Sequence, residues 1–159
     1  MSKTRWLSKR EQLVWRQFLM MQGQLRYRLG SRLQRETGLS DADYEVLVNL
    51  SDAPGGRLRP SEIGWITRWE KSRISHHVAR MESRGLVKRI PCPTDNRGAF
   101  VVMTPSGRRA IQRAAPRHVA HVREAFIDVL TPAQLEALAE ISAAVLAALA
   151  ENAEADPIM

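Results

Sequence analysis

Apolar residues open the chain at helical spacing: Val14, Phe18, Met21, Leu25, Leu29 and Leu33 follow at steps of four, three, four, four and four. At 3.6 residues per turn such steps keep every member on one stripe, which predicts a long helix over 8–36. Gly38 supplies a stop and Ser40 a cap, and Tyr44, Leu47, Val48 and Leu50 mark a second helix over 41–52. Ala53-Pro54-Gly55-Gly56 then breaks the pattern. A third helix starts at Pro60, with Glu62 at the positive end of its first turn, and ends around 67–69. A fourth runs over 71–84: Ile74, Val78 and Met81 mark its apolar face and Gly85 terminates it. Leu86–Ile90 and Ala99–Met103 read as two short strands joined by a loop from Pro91 to Gly98. Helix resumes near Pro105, bends near Pro116 and continues through Val119, Val122, Phe126 and Val129. Thr131-Pro132 caps and opens a last helix striped by Leu135, Leu138, Ile141, Val145 and Leu149.

The expected fold is mainly α with a small β-hairpin, a single domain without repeats or a separating linker. Its long outer helices carry apolar stripes that project past a small three-helix centre. Packing them against a second copy buries those stripes, so a homodimer interface built from both ends of the chain is expected. A monomeric bundle with the same stripes facing inward is the alternative this pattern leaves open.

Charge divides the surface further. The 159 residues are 44% hydrophobic and 26% charged with a formal charge of +7, the balance of a globular domain with a polyanionic partner. Residues 1–36 carry a net of +7, 37–56 of −4, 57–109 of +8 and 110–159 of −4. Two basic blocks alternate with two acidic ones, as on a molecule with a binding face and a remainder. One cysteine, Cys92, excludes an intrachain disulfide framework and fits a reducing cytoplasm. No secretory signal opens the chain, and the longest uncharged apolar stretch, Ile141–Ala150, is ten residues, so no membrane span is expected.

The second basic block holds a helix-turn-helix spacing: helix 60–67, the turn Arg68-Trp69-Glu70, and helix 71–84. At 100° per residue Ile74, Val78 and Met81 turn inward. Ser72, His76, Arg80 and Ser83 fall opposite, Lys71 and Arg73 lie beside them, and Ser75 and His77 flank the face. Hydroxyls, imidazoles and guanidiniums without an acid suit phosphates and base edges in a major groove. An ordinary solvated face is the bland alternative. Arg97, between prolines and Gly98, forms a basic loop tip suited to a narrow minor groove, and Asp95 is placed to pair with a nearby arginine and brace it.

Met81-Glu82-Ser83-Arg84-Gly85-Leu86-Val87-Lys88-Arg89, then Pro93-Thr94-Asp95-Asn96-Arg97-Gly98, then Val101-Val102-Met103-Thr104-Pro105-Ser106-Gly107 resembles the wing signature of the MarR (multiple-antibiotic-resistance repressor) family. Helix count and order match from about residue 10 to 150. The resemblance implies a winged helix-turn-helix regulator of transcription, a homodimer on a pseudo-palindromic DNA operator. The DNA-binding lobe would span about 37–109, and helices 8–36 and 105–151 would form the dimer interface. It assigns major-groove contacts to helix 71–84, the minor-groove arginine to Arg97 and the bracing aspartate to Asp95. Met103 stands where leucine is usual, and Arg59 and Glu70 stand where a serine, threonine or aspartate cap is common. Trp65 and Trp69 add bulk at the turn, with core packing as their expected role.

Relatives in this family bind small phenolic or lipophilic effectors between the dimer helices and the DNA-binding lobe. Trp15, Tyr27 and Tyr44 are candidates for such a pocket, with plain packing as the alternative. Cys92 between two prolines is expected to be structural, and His118 and His121, one turn apart with Glu124 nearby, lack the further ligand that zinc wants. No cofactor or metal is expected, and no P-loop, GxSxG, HExxH or paired-carboxylate motif suggests an enzyme. Lys3, Arg5, Lys9 and Arg10 are candidates for phosphate contact. A winged-helix module docking on RNA or an acidic protein is the functional alternative.

Overall fold

The structure, a computed structural model, describes residues 4–92 and 95–155, the side chains at 95–97 and 152–155 excepted. Among the described residues, six α-helices and three strands follow in the order α1 (Lys9–Thr37), α2 (Asp41–Asp52), β1 (Arg57–Leu58), α3 (Pro60–Thr67), α4 (Lys71–Ser83), β2 (Val87–Cys92), β3 (Asp95–Met103), α5 (Pro105–Ala125) and α6 (Pro132–Ala155). Short 3₁₀ turns at Pro54–Gly56 and Ile127–Val129 join α2 to β1 and α5 to α6. The fold is the mainly helical winged helix-turn-helix that the sequence pattern indicates.

Local chemistry sets the helix boundaries. Ser8 and Glu11 form a reciprocal cap on α1: the Glu11 carboxylate accepts from the Ser8 backbone N–H at 2.7 Å, and the Ser8 hydroxyl accepts from the Glu11 N–H at 3.3 Å. Those hydrogen bonds hold the Glu11 carboxyl below its usual range. Gly38, at φ 73°, closes α1 in the left-handed region. Ser40 and Asp43 repeat the cap on α2. At α3 the Glu62 carboxylate accepts from the Arg59 N–H at 2.5 Å, one half of a reciprocal cap, and Pro60 at the first helical position has no N–H to satisfy.

The strands form one antiparallel sheet in the order β1-β3-β2, with Val87 opposite Met103, Arg89 opposite Val101, and an irregularity between Pro91 and Cys92. Both hairpin strands are longer than the five-residue segments expected. β1 is an addition: Arg57 and Leu58 pair with Val102 and Val101. Two residues carry no readable periodicity, so this strand exists only because β3 offers an edge.

The chain divides into two compact units, Met1–Val119 and Ala120–Met159. Within the first, Val46, Leu47, Leu50, Ile63, Val78, Met81, Val87, Val101 and Ala114 are buried together around α4. Of the α1 stripe only Leu33 is buried, Leu25 and Leu29 are half-buried, and Val14, Phe18 and Met21 are exposed. In the second unit, Leu135, Ile141, Val145, Leu146 and Leu149 of α6 are exposed. By length and composition Pro132–Glu151 is also apolar enough to cross a bilayer, more so than its longest uncharged stretch implied. Glu136 and Glu140 lie within that window, and a carboxylate near a membrane centre is costly, on the order of 2.5–3.5 kcal/mol for aspartate.

Candidate nucleic-acid interface

Helices α3 and α4 meet through a tight turn. Arg68 takes the left-handed conformation at φ 58°, and the Trp69 N–H donates to the Gly64 carbonyl at 3.2 Å. Gly64 permits the close crossing, since a Cβ there would lie 2.6 Å from Ile74 Cδ1. On α4, Ile74, Val78 and Met81 enter the core. Lys71, Ser72, Arg73, Ser75, His76, Arg80 and Ser83 are exposed.

His77 departs from the expected pattern. It is only 6% exposed, turned inward instead of lying on the DNA-facing flank. Its Nε2 sits 3.2 Å from Asp43 Oδ1, close enough for charge–dipole attraction though off the line of a well-aligned hydrogen bond. Its Nδ1 lies 3.1 Å from Arg80 Nη2, and the Trp69 ring meets it edge-on at 5.2 Å. The Arg73 guanidinium lies over the other ring of this cluster, 4.3 Å from the Trp69 centroid.

Asp43 is the buried centre of the arrangement, 1% exposed. Its Oδ2 accepts from Arg84 Nη1 at 2.7 Å and from the Ser40 N–H at 2.9 Å, and Arg84 Nη2 donates to the Gly38 carbonyl at 2.7 Å. Burial pushes a carboxyl upward, but His77, Arg84 and Ser40 outweigh it and hold Asp43 well below the ordinary carboxylate range. Sequence reasoning assigned no role to Asp43 or Arg84. The available signal was the Ser40-x-x-Asp43 spacing, which accounts for a cap but not for a partner on α4.

The wing is tied to α4 from the other side. The Arg89 N–H donates to Glu82 Oε1 at 2.9 Å, its Nη1 to Glu82 Oε2 at 3.1 Å and its Nη2 to the Ser75 carbonyl at 3.3 Å. Thr104 Oγ1 donates to the Gly85 carbonyl at 2.5 Å and accepts from the Gly107 N–H at 3.0 Å, which seats α5 against the start of β2. Arg57 and Arg59 both stack on Phe100, and Arg59 Nη2 lies 3.3 Å from the buried Cys92 Sγ. Asp95 and Arg97 belong to β3, but their side chains lie outside the described residues, as does Lys3. Arg5, Lys9 and Arg10 are exposed.

The tryptophans divide. Trp69 packs against the core as expected, whereas Trp65 is 71% exposed with Arg68 stacked 5.2 Å from its centroid. The three aromatics considered for an effector pocket do not share one environment. Trp15 stacks on Phe18 at 5.8 Å, while Tyr44 packs on His118 at 4.5 Å and its hydroxyl is raised above its usual range by burial. Tyr27 lines a shallow surface cleft with Gln24, Arg28, Ser31, Arg32 and Arg35, about 18 Å along the helix axis from Trp15. Among the described residues no group of three or more His, Cys, Asp or Glu could hold a metal ion.

Comparison with known proteins places this geometry. The sequence profile described as MarR family matches residues 37–98. The chain is similar to AbsC, a MarR family transcriptional regulator of Streptomyces coelicolor, with 40% identity and a TM-score of 0.87 over 93% of this chain and 99% of that one. It is equally similar to Sco3205 of the same organism, solved in complex with DNA, with 41% identity and a TM-score of 0.87 over 92% of this chain and 91% of that one. The transcriptional regulator HosA of Escherichia coli O111:H- is 34% identical over 79 residues, 49% of this chain and 56% of that protein. The HTH-type transcriptional regulator YdgJ of Bacillus subtilis is 26% identical over 101 residues, 64% of this chain and 60% of that protein, so the matches span under two thirds of either relative.

Proposed function

The chain belongs to the MarR family of transcriptional regulators, and on that premise we propose that it binds double-stranded DNA sequence-specifically, as a cytoplasmic homodimer on a pseudo-palindromic operator, and represses transcription there. Lys71, Ser72, Arg73, Ser75, His76 and Arg80 meet the major groove, and Arg97, braced by Asp95, enters the adjacent minor groove. The observation that carries the reading is α4: it buries Ile74, Val78 and Met81 while its exposed face has donors and no carboxylate. The relative solved with DNA, at 41% identity, supports the same partner. Mechanism is occupancy and release, without catalysis or a cofactor, and a small-molecule effector of unassigned identity tunes it.

The homodimer rests on the apolar residues that α1 and α6 leave exposed, Val14 and Phe18 on one and Ile141, Val145 and Leu149 on the other. A second copy covers them, and a twofold axis then sets two α4 helices about 34 Å apart, one turn of duplex. In vitro selection of bound duplex tests the reading, followed by gel shifts with the selected duplex, random duplex and single-stranded RNA at two salt concentrations. A selected sequence with twofold symmetry that outcompetes random duplex supports it. Equal binding to RNA and random duplex overturns it in favour of an interaction module.

A further inference from the structure

We infer that His77 is a positioning residue for recognition: held against Asp43 of α2, it accepts a hydrogen bond from Arg80 and sets the direction in which that guanidinium meets DNA. The inference rests on the proposed DNA contact of Arg80 and adds a buried cause for its geometry.

A guanidinium has only donors, so only an acceptor can hold it by a hydrogen bond. The acceptor beside Arg80 is His77 Nδ1, 3.1 Å from Nη2. An accepting Nδ1 carries no proton, so the imidazole proton sits on Nε2, which faces Asp43 Oδ1 at 3.2 Å. The carboxylate cannot turn away to serve another group, because its second oxygen already accepts from Arg84 and from the Ser40 N–H. Trp69 meets the imidazole edge-on at 5.2 Å, and the ring is buried. Two links therefore run from the cap of α2 to the surface of α4: Asp43 orients His77, and His77 orients Arg80. Arg80 itself is exposed, and a long arginine free in water samples many rotamers. Anchoring one N–H leaves the other four donors of the fork presented outward in one arrangement, which lowers the ordering cost of binding.

Two measurements test it. In the free protein, long-range ¹H–¹⁵N spectra at neutral pH should give an unprotonated Nδ1 and a protonated Nε2 for His77, and Arg80→Ala should shift the Nδ1 resonance. In binding, His77→Leu should weaken affinity for the selected duplex about tenfold, the scale of one hydrogen bond to a charged group. The double variant His77→Leu, Arg80→Ala should bind no worse than Arg80→Ala alone, because both remove the same contact. His77→Gln has an amide that accepts from Arg80 and donates toward Asp43, and should restore affinity to within about twofold, the ordinary error of additivity. Fully additive losses, wild-type binding by a folded His77→Leu protein, or a protonated Nδ1 would each overturn the inference. If His77→Leu does not fold, the glutamine variant and the spectra of the wild-type protein still decide. A wild-type protein that enriches no duplex defeats the proposed function, while the spectra separately decide whether His77 anchors Arg80.

Discussion

Arg84 and Asp43 lie 41 residues apart in the chain and meet at 2.7 Å between Nη1 and Oδ2, joining the end of α4 to the first turn of α2. The carboxylate is buried, so its charge is tolerated only because Arg84, His77 and the Ser40 N–H surround it. Asp43→Ala removes that centre and leaves the partners facing an empty site. It is expected to lower unfolding free energy by about 3–5 kcal/mol. Arg84→Met, whose side chain is 44% exposed, should cost less, about 1–3 kcal/mol. Urea unfolding followed by far-UV circular dichroism measures both, and equal losses would contradict the central place of Asp43.

The same carboxylate predicts an acid limb. Its folded value lies below the unfolded 3.8, so the stability it contributes is complete above that value and is lost as pH falls through the folded one. Unfolding midpoints taken from neutral pH down toward pH 3 should therefore drop most steeply at the acid end. Asp43→Asn, less stable at neutral pH, should begin to narrow its gap to the wild type there, since the folded value is not reached. Parallel loss in the two proteins would assign the acid limb to other groups.

Gly107 is a packing requirement. A Cβ at this position would collide with the Leu86 carbonyl oxygen and lie 3.0 Å from Met103 Cγ. Gly107→Ala should destabilise by about 1–3 kcal/mol through overpacking. Thr104→Val, which loses the hydroxyl between Gly85 and Gly107, should cost about 1 kcal/mol. Thermal melts of the two variants check this, and an alanine melting like the wild type would mean α5 can step back without penalty.

Val145 and Leu149, exposed on α6, belong to the proposed dimer surface. Val145→Asp with Leu149→Glu is expected to shift sedimentation to the monomer and weaken operator binding by about 10²-fold or more, because two half-sites no longer bind as one. An unchanged dimer carrying both charges would move the interface elsewhere.

Phosphate and base contacts should separate by salt. Arg73→Ala is expected to reduce the slope of log affinity against log salt by about one. Arg97→Ala should cost about 1–3 kcal/mol of specific binding if it reads the minor groove. Filter binding at several salt concentrations on operator and random duplex gives both numbers, and full affinity with Arg97 removed would take the wing out of recognition.

Much of the architecture was legible because its signals are local. Gly38 and Gly85, the serine caps, and the prolines at 60, 105 and 132 bound helices α1 to α4 and the starts of α5 and α6 within a residue or two, since each depends on a few neighbouring backbone groups, whereas α5 ends at Ala125 short of the expected Val129 and α6 runs to Ala155 past the expected 151. The outward face of α4 was legible for the same reason: 100° spacing alone sets Ser72, His76 and Arg80 opposite Val78 and Met81. His77 and Trp65 were not. His77 falls on a flank by spacing, and which way a flank turns depends on what α2 offers it, here Asp43. Trp65 has a core-forming side chain, yet its ring stays in solvent under Arg68, an outcome its spacing on α3 does not reveal.

The amino-acid pattern by itself determined a mainly helical chain with a helix-turn-helix spacing, a β-hairpin and a cationic block over 57–109, because periodicity, caps and charge act over a few residues. Only the tertiary structure decided that β1 exists, that α4 is docked through one buried carboxylate, and that His77 looks inward. Those features need groups tens of residues apart to meet, and the energy of a buried charge exists only once its partners surround it.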